Sequence, residues 1–279
     1  MDGFLHAIVT QSFLQHALLG GLLASIGCGI MGTYVYVKRI TFLAGGISHT
    51  VLGGMGVAYF LGAAPMGGAL VAAVLAALLI GWVTLRLHQY EDTLIGAVWA
   101  IGMAVGVIFI SKTPGYNIDL MSYLFGNILM VPVERVYLMA GVDAVIALVV
   151  VMFYKQFLAV CFDTEFARLR GVPVDLFYLL LLCMVALTVV LLIQVVGLIL
   201  VIALLTLPAA IAAQYVGTLM RMMVVATVLG MAFTGAGLAL SYRLDLPAGA
   251  TIILVAGSAY LVSLLGSEAR RRWRLYRLV

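Results

Sequence analysis

Long apolar runs, separated by short polar segments, follow one another along almost the whole chain. Because about 20 helical residues cross the hydrocarbon core of a bilayer, runs of this length indicate transmembrane helices. Eight or ten spans are also possible, since only Gln194 and Gly197 indicate a turn within the nearly unbroken stretch 175–214. Residues 118–130 are too few to span, and they predict a re-entrant or external surface helix. We predict about nine transmembrane helices, over residues 13–37, 45–63, 66–85, 93–111, 134–154, 175–196, 197–214, 219–241 and 249–266.

The composition agrees with an all-α, polytopic integral membrane protein. Of the 279 residues, 65% are hydrophobic and only 9% are charged, a balance that excludes a soluble globular domain. The three cysteines, Cys28, Cys161 and Cys183, lie in or beside apolar runs without C-x-x-C spacing. This placement favours inert thiols over disulfides or zinc ligands. The start of the chain lacks a basic n-region, so we expect no cleaved signal peptide. We also expect residues 1–279 to form a single transmembrane domain.

Basic residues are distributed unevenly over the predicted loops. If the segment after the first span is cytoplasmic, all but three of the 15 lysines and arginines lie inside, and Lys112, Arg135 and Arg243 lie outside. This bias is typical of the positive-inside rule. It predicts an external N-terminus and a basic cytoplasmic tail over residues 267–279. The spans between them would cross the lipid bilayer of the cytoplasmic (inner) membrane. The formal charge of +4 thus has a topological explanation and does not indicate nucleic-acid binding.

A histidine, His49, lies inside a glycine-rich apolar run. On a helix, Gly45, Gly46 and Gly53 share its face, and Gly56 lies one turn further along that face. An ionisable side chain at bilayer depth usually faces the protein interior or a water-filled path. A glycine face lets another helix, or an ion, approach the backbone. Two interpretations therefore remain open: a packing stripe whose histidine hydrogen-bonds a neighbouring helix, or a metal-contacting histidine on a glycine-lined path.

Carboxylates are scarce within the predicted spans, and Asp143 is the main one. Other polar side chains within the spans are those of Gln194, Gln214 and Thr206. Each is more often an interhelical hydrogen-bond partner than a ligand. In an ATP-independent secondary transporter, however, Asp143 would be the obvious proton or sodium site.

Between the fifth and sixth predicted spans, residues 162–171 have the signals of a short capped helix. Asp163 is a good N-cap, and acidic and basic residues suit the two ends of the helix dipole. Gly171 permits a left-handed stop. A docking element for a cytoplasmic partner explains so short a helix better than a helix lying on the lipid surface. The residues that we expect to serve docking are Asp163, Glu165, Phe166, Arg168 and Gly171.

Six segments together carry a family resemblance. They are residues 45–54, 92–96, 123–126, 162–171, 196–212 and 245–249. In this order they resemble the membrane permease of ATP-binding-cassette (ABC) importers for divalent transition metals, of the zinc, manganese or iron type. The resemblance covers nearly the whole chain. It departs from the family at Gly46, where an aspartate three residues before the histidine is usual.

The resemblance implies a homodimer with the ion path between the two protomers. An extracytoplasmic solute-binding protein would deliver the ion, and a cytoplasmic ABC ATPase would act on residues 162–171. That ATPase must be a separate subunit, because the chain has no Walker motif. His49 is the residue carried over as a metal contact; we expect no catalytic residue and no permanently bound cofactor, only the transported divalent metal ion. A permease for a chelated metal or a cobalamin-like cofactor is the related alternative.

Overall fold

The computed structural model describes residues 2–87, 91–113, 126 and 128–276. Within these residues it contains twelve α-helices, one short 3-10 helix at Ile128–Met130 and no strand. The predicted all-α fold is therefore confirmed. The helices are α1 Asp2–Thr10, α2 Ser12–Val37, α3 Thr41–Phe60, α4 Pro65–Leu87, α5 Glu91–Ser111, α6 Val133–Met152, α7 Tyr154–Phe162, α8 Thr164–Leu169, α9 Val174–Val196, α10 Leu198–Tyr215, α11 Leu219–Leu244 and α12 Ala248–Tyr276.

Eight of the described helices are long and apolar enough to cross a membrane. They are α2, α4, α5, α6, α9, α10, α11 and α12. Helix α3, with 20 residues, takes the place of the remaining predicted span. It is not among the eight, because its glycines, serine and histidine make it less apolar than its neighbours. The expectation of about nine spans agrees with this count to within one helix.

Gly197 separates α9 from α10, as the sequence predicts. Its φ is 84°, in a region that glycine adopts readily and other residues rarely. Gly126, with φ 68°, lies against this break, so that a Cβ on Gly126 would collide with the backbone of Val196. Most of the external helix predicted over 118–130 lies outside the described residues.

Contacts divide the chain into two compact units. The first comprises Met1–Tyr36, Phe125–Ala140 and Val195–Val279. In it, a Cβ on Gly29 of α2 would lie 2.7 Å from the Cα of Thr227 on α11. These two helices therefore approach each other closely, as small residues allow in membrane helix pairs.

The second unit comprises Val37–Leu124 and Gly141–Gln194. In it, α3 packs against both α4 and α5. Gly54 of α3 and Gly68 of α4 face each other, so that a Cβ on either would collide with the carbonyl oxygen of the other. The glycine-rich sequence of α3 thus serves close helix packing on the side of α4.

Candidate functional site

His49 stacks on Trp99 of α5. The ring centroids are 4.2 Å apart and the ring planes differ by 7°. The indole is held in turn, because its Nε1–H donates to Sδ of Met103 at 3.2 Å. Within the part of the chain that the structure describes, neither imidazole nitrogen has a hydrogen-bond partner. The half-buried ring therefore has a fixed plane and two edge nitrogens that are not engaged by the described residues.

The glycine face beside His49 is turned mainly toward α5. A Cβ on Gly53 would lie 2.5 Å from the carbonyl oxygen of Gly102, and one on Gly56 would lie 2.8 Å from that of Gly106. These two predicted path-lining glycines thus allow close contact between helices within the second unit. Gly45 differs, since nothing lies within 4 Å of the position that its Cβ would take. A role in lining an ion path stays a prediction for Gly45, Gly46, Gly53 and Gly56.

Gly46 is matched to Ile95. A Cβ at this position would lie 2.5 Å from Cγ2 of Ile95, which is 4% exposed. The space where the family's aspartate would begin is therefore filled by an isoleucine methyl group. His49 consequently lacks the adjacent carboxylate, and the described residues contain no group of three or more His, Cys, Asp or Glu that could hold a metal ion.

The predicted cap and stop of the short helix α8 are both present. Oδ1 of Asp163 accepts a hydrogen bond from the backbone N–H of Phe166 at 2.8 Å, which is an N-cap. Gly171 has φ 75°, and its N–H donates to the carbonyl of Arg168 at 3.0 Å. Glu165 lies in the first turn, where a negative charge suits the helix dipole. The local geometry that the sequence predicts over 162–171 is thus confirmed.

Helix α8 and Phe162, the last residue of α7, present apolar side chains to their surroundings. Phe162, Phe166 and Leu169 are 66%, 49% and 88% exposed, whereas Ala167 is fully buried. Three large apolar side chains in so short a segment form an exposed apolar surface, and its role in docking stays a prediction. The guanidinium of Arg170 lies 5.1 Å from the centroid of the Phe166 ring and makes that surface partly cationic.

Arg168 joins α8 to the next span. Its guanidinium lies 2.9 Å from Oδ1 of Asp175, in the first turn of α9. The pair is largely exposed, so it contributes little to stability, but it links a candidate docking helix to a transmembrane helix. Asp175 is not among the residues predicted from the sequence; its signal was a carboxylate two residues after Pro173, where the next helix begins.

All three cysteines are free. Burial raises the pKa of Cys161, in α7, to about 11, and the nearby Lys38 ammonium offsets only part of that effect. Because the thiolate is the reactive form, this thiol is unreactive near neutral pH, in agreement with the expected inert role.

The sequence model of the ABC 3 transport family matches residues 10–267. The chain belongs to this family. It is 50% identical, over 90% of each chain, to an uncharacterized membrane protein of Synechocystis. It is 32% identical to the manganese transport system membrane protein MntC of Halalkalibacterium halodurans, over 97% of this chain and 94% of the relative.

A solved structure shares the ABC 3 fold over the same extent. It is PsaBC from Streptococcus pneumoniae in complex with Fab, with a TM-score of 0.84, 33% identity and coverage of 94% of each chain. The resemblance to ABC permeases that the six sequence segments indicate is therefore confirmed.

Proposed function

We propose that this ABC 3 chain is the permease subunit of an importer for a divalent transition-metal ion, with manganese as the first candidate. The observation that carries the proposal is the nearly full-length similarity to a relative named for manganese transport. The family match extends over segments of both compact units. Residues 1–279 accordingly act as a single permease domain in the cytoplasmic membrane.

His49 is the proposed contact for the ion. Its ring plane is fixed by Trp99, and its nitrogens have no partner among the described residues. One imidazole cannot hold a transition metal by itself, and imidazole is a suitable ligand for several such metals. A homodimer would bring two of these rings to a shared path, with water or the delivering protein supplying further ligands. The ion path would then lie between the two protomers.

The exposed apolar surface of α8 is the proposed docking point for a separate cytoplasmic ATPase. Its capped ends keep so short a helix formed, and Arg168 connects it to Asp175 of α9. Closure of the ATPase would then bias the permease between outward-open and inward-open states through differential binding. A solute-binding protein would supply the ion on the opposite, external side, where the charge bias also places the N-terminus.

The alternatives raised by the sequence have less support. Membership of an ABC family argues against an ATP-independent secondary transporter, and it leaves Asp143 without the role of a proton or sodium site. The name of the manganese relative favours a free ion over a chelated metal or a cobalamin-like cofactor.

Uptake by the reconstituted complex tests the proposal. Proteoliposomes that hold the chain and its cognate ATPase, with the binding protein outside, should accumulate manganese only when ATP is present. The same vesicles are offered zinc, iron and cobalt to rank the ions. His49→Gln should reduce uptake strongly while leaving the complex assembled. Accumulation without ATP, or none of any metal, contradicts the proposed function, and wild-type uptake by His49→Gln contradicts the metal contact.

A further inference from the structure

The turn between α2 and α3 carries a lysine that binds a distant segment of the second unit. Nζ of Lys38 donates a hydrogen bond to the backbone carbonyl of Val160 at 2.9 Å, across 122 residues of sequence. Val160 is fully buried and lies in the last turn of α7. The last four carbonyls of a helix have no partner within it, and a cation suits this negative end of the helix dipole. Lys38 therefore caps the end of α7.

The same ammonium group also contacts an aromatic ring. Nζ of Lys38 lies 5.6 Å from the centroid of the Tyr178 ring, within the range of a cation–π contact. Tyr178 belongs to α9 and is buried. The helices α7 and α9 pack on each other here, since the Phe157 and Phe177 rings meet edge to face with their centroids 5.5 Å apart. The turn before α3 is thus attached to both of these helices through one side chain.

The backbone next to Lys38 has an unfavourable conformation. Arg39 has φ 59°, in the left-handed region that residues with a side chain rarely adopt. Such a conformation persists only where the surrounding structure enforces it. Two contacts enforce it here: Lys38 is bound to Val160 on one side of Arg39, and the side chain of Ile40 is buried on the other. The turn is therefore a stiff connection between Lys38 and α3.

This turn holds the first turn of α3. Among the described residues, the N-cap position of α3 makes no side-chain hydrogen bond to the helix. Two residues separate Lys38 from Thr41, where α3 begins, and His49 lies about 12 Å further along the helix axis. On the other side of the contact, Val160 lies four residues before Thr164, where α8 begins. Lys38 therefore joins the helix that carries His49 to the junction that leads into α8.

We propose that Lys38 is a positioning residue that transmits displacement of α8 to α3, and so to His49. The proposal rests on the proposed function, because it takes α8 to be the element that the ATPase moves. Displacement of α8 shifts the end of α7, the two contacts of the ammonium group carry the shift to the turn, and the stiff turn carries it to α3. Without Lys38, the ATPase still binds and hydrolyses ATP, but α3 no longer follows α8.

Uptake and ATP hydrolysis, measured on the same proteoliposomes, test this assignment. Lys38→Met keeps an apolar stem but removes the donor and the charge. Copurification of the ATPase and the rate of hydrolysis should stay close to those of the wild type. Manganese uptake per ATP hydrolysed should fall about fivefold or more, since a hydrogen bond to a charged group is strong enough to shift a two-state equilibrium about tenfold. Lys38→Arg, which keeps a cationic donor, should restore most of this ratio.

Lys155→Met is the matched control. Lys155 is an exposed lysine of α7, so this variant removes the same charge from the predicted cytoplasmic side. Its ratio of uptake to hydrolysis should equal that of the wild type. A fall equal to that of Lys38→Met would attribute the effect to net charge, and would overturn the proposal. A wild-type ratio in Lys38→Met also overturns it, including the case in which uptake, hydrolysis and ATPase copurification all fall together, because Lys38 would then only stabilise the fold.

A labelling experiment follows the movement of α3 directly. Gly45→Cys places a thiol on α3 where nothing lies within 4 Å of the Cβ position, and the parent chain with its three free cysteines gives the background. The rate of maleimide labelling should differ between the resting complex and the complex trapped with ATP and vanadate, and adding Lys38→Met should abolish the difference. Equal rates in the two states with Lys38 intact, or a difference that survives Lys38→Met, overturn the proposal. If the wild-type complex accumulates no divalent cation, the proposed function itself fails, whereas the labelling still decides the role of Lys38.

Discussion

The imidazole of His49 lies parallel to the indole of Trp99, with the ring centroids 4.2 Å apart. The two residues come from α3 and α5, which pack along most of their length. Stacking engages the faces of the imidazole and leaves its edge nitrogens for a ligand. Trp99 is thus a positioning residue for His49 in our interpretation, since it determines where those nitrogens point.

Replacing Trp99 should therefore weaken transport in a way that another aromatic ring rescues. Aromatic pairs contribute about 0.5–1.5 kcal/mol beyond area burial, so Trp99→Leu should lower manganese uptake about two- to tenfold. Trp99→Phe should retain most of the rate. Phe42→Leu is the control, because it removes an aromatic ring beside Trp99 that is not stacked on it. The two ring centroids are 5.8 Å apart and the ring planes are tilted by 50°. Equal rates for the Leu and Phe variants of Trp99 would show that stacking has no role.

The match between Gly46 and Ile95 gives a second prediction. Gly46→Asp, which restores the usual aspartate of the family, forces the Ile95 side chain to move. Overpacking of this kind costs about 1–3 kcal/mol, so less folded permease should be recovered from membranes. Adding Ile95→Ala removes the obstructing methyl group and should restore the yield. The double variant should then retain manganese longer than the wild type, because a carboxylate joins the imidazole on one helix face.

The yield of Ile95→Ala alone is the control for this pair. If Gly46→Asp is recovered at the wild-type level and Ile95→Ala adds nothing, the two positions are not coupled. If the double variant folds but retains manganese no longer than the wild type, His49 does not contact the ion.

The sequence predicts the fold well because its signals are local. Glycine at position 197 and the Asp163 cap each act on the backbone beside them, and both appear where expected. The partners of His49 and Gly46 could not be predicted, because Trp99 and Ile95 lie about 50 residues away and the pairing depends on how α3 meets α5. Glycine stripes are ambiguous for the same reason: the same spacing suits a path or a helix contact, and only the position of the neighbouring helix distinguishes them.

The uneven distribution of basic residues predicts the orientation of the chain. Reporter domains fused after Arg86, Lys155 and Arg221 should score as cytoplasmic, and fusions near Lys112 and Arg243 as external. The physical reason is that lysine and arginine in short loops are retained on the cytoplasmic side. Paired fusions of a cytoplasmic fluorescent reporter and an external phosphatase check each site independently. A cytoplasmic score near Lys112 would reverse the orientation, and it would also move α8 away from the ATPase.

The exposed apolar surface of α8 provides the last prediction. Leu169 is 88% exposed, so Leu169→Asp should leave the permease folded while it disrupts a docked, apolar interface. Copurification of the ATPase and ATP-driven uptake should then fall together, whereas Leu169→Met, which keeps an apolar side chain, should preserve both.

The stop at Gly171 tests the same interface through the backbone. With φ at 75°, a branched side chain at this position is strained, so Gly171→Val should tilt or fray α8 without touching the docking surface itself. We expect weaker ATPase binding from this variant at unchanged membrane insertion. Gly217→Val is the matched control, since Gly217 has open space around its Cβ position and no left-handed φ. Normal ATPase binding by both Leu169→Asp and Gly171→Val would show that α8 rests on the lipid surface instead, since an interface made by Leu169 on a helix ended by Gly171 could not survive both changes.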